Sequence, residues 1–103
     1  MAPPELTQEQ RAAALAKAAE ARRVRAELKH LLKTGSITLP ELLERADADP
    51  IVGGMKVYAA LSSLPGTGKV KAKRLMEGHG IADSRRIRGL GQRQRATLLE
   101  EFS

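Results

Sequence analysis

Between Leu61 and Met76 the chain sets two helical segments almost end to end, separated only by Pro65-Gly66-Thr67-Gly68. Pro65 fixes its own φ and cannot continue the first segment. Gly66 and Gly68 admit positive φ and place no Cβ between the backbone and an approaching group. The amides of Gly68, Lys69 and Val70 then open the second helix, where first-turn N–H groups have no intrahelical acceptor and the dipole is positive. This arrangement is a ready anion site. Lys69, Lys71, Lys73 and Arg74 crowd the same turn, which points to a polymeric anion, a nucleic-acid backbone. A nucleotide P-loop is excluded, because that motif needs four residues between its glycines and Ser or Thr after the lysine. Here one residue separates the glycines and Val70 follows Lys69.

Composition sets the surrounding fold. The 103 residues suffice for one domain with a modest core. With one Phe, one Tyr and no Trp, that core must be aliphatic. Abundant Ala and Leu with few β-branched residues favour an all-α fold. There is no cysteine, hence no disulfide framework. His30 and His79, far apart in the chain, read as solvated histidines, so no metal and no cofactor are expected. No apolar run is long enough for a membrane helix, and residues 1–5 lack the basic start and apolar stretch of a secretory signal. The expected setting is the cytoplasm, with no membrane and no small-molecule substrate.

The net charge of +6 is unevenly spread. Residues 1–35 carry +3, residues 36–64 carry −2, and residues 65–103 carry +5. Basic ends around an acidic middle, beside a phosphate-type hairpin, fit a polyanion partner.

In chain order, residues 1–6 read as a Pro-rich, mobile leader. Thr7 to Gln10 has the form of a capping box. Nothing breaks a helix from Gln8 to Lys33, and Gly35 follows as a stop. About 26 residues at 1.5 Å each make a rod of roughly 39 Å. Val24, Leu28, Leu31 and Leu32 form a stripe that docks on the core. Upstream of them Leu15 stands alone among alanines, so the first half is expected to project. Arg22, Arg25, Lys29 and Lys33 share a flank of the docked half, either a solvated charged row or a second phosphate-contacting face. The division expected is therefore 1–34, leader and long basic helix, and 35–103, a compact helical domain.

Thr38 to Glu41 is a second capping box with Pro40 in the first turn. Leu39, Leu42, Leu43 and Ala46 face inward, and Asp47-Ala48-Asp49-Pro50 ends that helix. Ile51-Val52-Gly53-Gly54 reads as a flexible linker. Met55 to Leu64 reads as a helix with Val57, Ala60, Leu61 and Leu64 inward and Tyr58 half-buried. Val70, Ala72, Leu75 and Met76 supply the apolar contacts of the helix from Lys69 to Gly78. Asp83 is a candidate N-cap for a turn through Ile87. Arg88-Gly89-Leu90-Gly91 forms a second glycine turn, and Gln92 to Phe102 a last helix with Ala96, Leu99 and Phe102 inward. On the second turn Arg85, Arg86 and Arg88 gather three planar guanidiniums, which suit bidentate contact with phosphate.

The spacing Leu61-x-x-Leu64-Pro65-Gly66-x-Gly68-x-x-x-Ala72 resembles the helix-hairpin-helix motif, whose loop binds backbone phosphate without reading bases. Four stretches, the hairpin among them, carry a likeness over nearly the whole chain: Leu6–Leu15, Met55–Val57, Leu64–Ala72 and Arg85–Gly91. Together they resemble the actinobacterial type of integration host factor. That resemblance implies an all-α nucleoid protein with a long N-terminal helix and a helix-two-turns-helix domain. It further implies duplex-DNA binding with little sequence preference, compaction of DNA and support of site-specific integration. Contact would run through Gly66, Thr67, Gly68, Lys69, Val70 and Lys71, with Arg85, Arg86, Arg88 and Gly89 beside them. The protein is expected to be a monomer able to contact two DNA segments.

Two other readings compete. Ribosomal proteins share helix-two-turns-helix domains, so structured RNA is an alternative partner, though aromatic residues for stacking bases are nearly absent. A repair glycosylase or lyase would need a base pocket and a positioned nucleophile, and so short a chain with few aromatics offers neither. No catalytic residue is expected.

Overall fold

A computed structural model describes residues 7–102. The leader of residues 1–6 lies outside the described residues. The chain is all-helical: α1 (Gln8–Lys33), α2 (Leu39–Ala48), α3 (Pro50–Gly53), α4 (Val57–Ser63), α5 (Gly68–Gly78), a 3-10 turn (Ile87–Gly89) and α6 (Gln92–Glu101). No described helix is long and apolar enough to cross a membrane.

Both capping boxes form. The Gln10 amide donates to Thr7 Oγ1 at 3.0 Å and the Thr7 amide to Gln10 Oε1 at 2.9 Å. Thr38 and Glu41 repeat the exchange at the head of α2. Each box satisfies donors that a helix start leaves unpaired.

The core is aliphatic. Leu28 and Leu32 of α1, Leu39, Leu42 and Leu43 of α2, Val57, Ala60 and Leu61 of α4, Ala72 and Met76 of α5, and Leu98 of α6 are buried together. Burying side chains of this size stabilises by about 1.5–3 kcal/mol each. Tyr58 packs half-buried against them. From Gln8 to Glu20 every residue of α1 is exposed, including Leu15 at 68%, whereas Val24, Leu28, Leu31 and Leu32 dock as the apolar stripe predicts.

Four expectations are corrected. The segment Ile51–Gly54 is no flexible linker. Asp49 Oδ1 accepts from the Ile51 amide at 2.9 Å, and with Pro50 in the first turn it starts the one-turn helix α3. Its glycines serve close approach: a Cβ on Gly53 would lie 3.3 Å from the Ala46 carbonyl oxygen. Asp83 caps no helix. The chain turns at Ala82–Arg85 and then extends, so that Arg86 forms an antiparallel bridge with Lys56. Here pairing with the strand-like entry to α4 outcompetes a local helical turn. Val70 is 69% exposed and contributes nothing to the core.

In α6 the inward face is Arg95, Leu98, Leu99 and Phe102, and Ala96 is exposed. A charged residue hides the true register. Arg95 donates to both carboxylate oxygens of Asp47, at 2.8 and 2.7 Å, and to the Leu43 carbonyl at 3.3 Å, tying α6 to α2. The hydrogen bond from Arg95 holds the Asp47 carboxyl below its ordinary pKa, against the opposing effect of burial.

Candidate nucleic-acid interface

The hairpin forms between α4 and α5 as its residues dictate. Gly66 has φ +75° and Gly68 φ +68°, left-handed values that favour glycine. A Cβ at either position would meet nothing within 4 Å, so their role is backbone shape and an open approach. The Thr67 amide donates to the Leu64 carbonyl at 3.1 Å and closes the turn. Thr67 occupies the N-cap of α5, yet its hydroxyl makes no capping hydrogen bond. The first amides of α5 therefore depend on an outside acceptor.

Helix α1 brings the rest. Lys29 and Lys33 line a groove of about 570 Å³ together with Gly66, Gly68 and Lys69. The basic row of α1 thus borders the hairpin directly. Further along the row, Arg22, Arg25 and Lys29 line a second cleft with Lys56 and Arg86. Lys29 belongs to both and links them.

The second glycine turn is built differently. Arg86 donates to the carbonyl of Gly54, and Arg85 donates back to the carbonyl of Gly89 at 2.7 Å. Arg88 stands on the 3-10 turn with its Cβ side toward Gly53. Of the three arginines, only Arg86 lines the cleft shared with α1. Arg85 and Arg88 line neither of these two grooves. Arg25 is committed in part to structure, its Nε donating to the Ile51 carbonyl at 3.1 Å. Lys56 is the residue that sequence reasoning passed over. It is an isolated lysine at the start of an apolar helix, and only the bridge to Arg86 brings it to the other cations.

A long docked helix and a glycine hairpin closing two short helices define a helix-two-turns-helix protein. Residues 32–102 match the S13-like H2TH domain. Over 99% of its length the chain is 58% identical to the integration host factor of Mycobacterium tuberculosis, covering 97% of that protein. The integration host factor of Streptomyces coelicolor is 56% identical over 99% of the chain and 95% of its own length. A solved structure of sIHF bound to an 8-bp palindromic DNA superposes with a TM-score of 0.82 at 51% identity, over 85% of this chain and 99% of that one. The chain belongs to the integration host factor family of these bacteria.

Proposed function

We propose that this protein binds duplex DNA through its sugar–phosphate backbone, with little sequence preference, as an architectural protein of the nucleoid. The observation that carries the reading is the hairpin: two left-handed glycines with open faces, leading into a helix start that no side chain caps and flanked by Lys29, Lys33 and Lys69. Gly66, Thr67 and Gly68 shape the loop around a phosphate, Lys69 and Lys71 neutralise its neighbours, and exposed Val70 lies against sugar. Arg22, Arg25, Lys29, Lys33 and Arg86 continue the basic track, while Arg85, Arg88 and Gly89 form its outer edge. The relative solved with DNA supports the same reading.

Neutralising phosphates releases condensed counterions, so the driving force is entropic and depends on salt. With about six phosphate contacts, log K against log salt has a slope near −5. A flat dependence rejects the electrostatic account. Phosphate contacts position a protein without specifying bases, so affinity is expected to vary little between duplex sequences. The protein acts as a monomer that bends or compacts DNA, supports site-specific integration, and performs no catalysis. Competition between duplex DNA and structured RNA of equal length separates this reading from RNA binding, and preference for RNA would overturn it.

A further inference from the structure

The cleft between α1 and the turn before α4 has features that a duplex rail does not call for. It encloses about 490 Å³, within the roughly 300–1,000 Å³ of small-ligand sites. Among the described residues, five cationic side chains line it, Arg22, Arg25, Lys29, Lys56 and Arg86, and no carboxylate does. Buried Met55 and half-buried Ala59 supply an apolar portion of the wall.

Two of the guanidiniums are fastened to backbone carbonyls close together in the chain, Arg25 to Ile51 and Arg86 to Gly54. Gly54 makes this possible, since a Cβ there would lie 2.5 Å from Nη2 of Arg25. A guanidinium carries five N–H donors, so one carbonyl bond leaves most of each fork available. Gathering like charges costs energy that a shared multivalent anion offsets. A single phosphate offers little charge to five cations, whereas adjacent phosphates on one small molecule offset more of their repulsion.

We propose that this cleft binds a compact oligophosphate, either an inorganic chain or the polyphosphate tail of a nucleotide. The cleft shares Lys29 with the hairpin groove and its cations with the basic track, but oligophosphate binding does not depend on the DNA reading.

The test is calorimetric titration of the full chain, free of divalent cations, with tripolyphosphate, ATP and orthophosphate. Tripolyphosphate and ATP are expected to saturate at one per chain, with orthophosphate weaker by about tenfold or more. Tighter binding of ATP assigns a nucleotide as the source, while equal binding shows that the phosphate chain suffices. The double variant Arg22→Ala/Lys56→Ala should weaken tripolyphosphate by about tenfold without moving the thermal midpoint. Lys69→Ala, in the hairpin, should leave it unchanged. Absence of saturable binding overturns the proposal, as does orthophosphate binding equally well or loss confined to Lys69→Ala. A chain that binds tripolyphosphate yet shows a flat salt dependence toward duplex DNA would keep this site and reject the DNA reading.

Discussion

The two glycine turns look alike in sequence and use opposite means. At Pro65–Gly68 the working surface is backbone, bent into left-handed φ at Gly66 and Gly68 and left bare of side chains. At Arg85–Gly91 no glycine has positive φ, and the working groups are guanidiniums, two of them held by carbonyls of their surroundings. A backbone site is preorganised by conformation, so any added Cβ harms it. A side-chain site tolerates backbone substitution but depends on what anchors each arginine.

Replacing glycines should break this contrast most sharply. Gly66→Ala and Gly68→Ala each force a Cβ into left-handed φ, costing roughly 1–2 kcal/mol. Thermal unfolding should register that loss, and duplex affinity should drop by about tenfold. Gly89→Ala, at a φ outside the left-handed region and with its Cβ 3.3 Å from Cδ of Arg85, should cost less than either. Equal losses at all three positions would mean that the turns are not different in kind.

The arginines sharpen the second half of the contrast. Arg86→Ala leaves the Gly54 carbonyl without its partner and should destabilise the fold by about 1 kcal/mol, besides weakening DNA binding. Arg88→Ala should weaken binding while stability stays within about 0.5 kcal/mol. A chemical denaturation series beside a binding series separates the two. In the hairpin, Lys69→Ala should reduce the magnitude of the salt slope by about one and weaken all duplex sequences alike. Loss at one sequence only would show base readout.

The smallest effect belongs to the clamp between α2 and α6. Because the folded state lowers the pKa of Asp47, its ion pair with Arg95 contributes stability above the carboxylate's unfolded pKa. That contribution is lost as pH falls through the lowered folded value. Asp47→Asn should therefore reduce the thermal midpoint slightly at neutral pH and leave it unchanged in strong acid. The pair is exposed, so a large effect at neutral pH would contradict the geometry.

Much of the fold is local, and local features are legible. The capping residues Thr7 and Thr38, the apolar stripe of α1 and the Pro-Gly-Thr-Gly turn each act within a few positions. What escaped depends on contacts distant in sequence. Arg95 occupies an inward register position because Asp47, 48 residues away, pairs with it. Asp83 fails as a cap because the following residues pair with Met55–Val57 instead. Gly53 and Gly54 look flexible until Ala46 and Arg25 are seen pressing on them.

From its sequence alone, then, the chain determined that it would be helical, where its main helices start, and that one loop would present bare amides. Caps, propensities and glycine φ values operate over single turns. Only the tertiary structure decided that the basic row of α1 lies alongside that loop, and that Lys56 and Arg86 complete a second cleft. Those cations meet because burial of the shared aliphatic core sets the angle of α1, and no local preference of the chain encodes that angle.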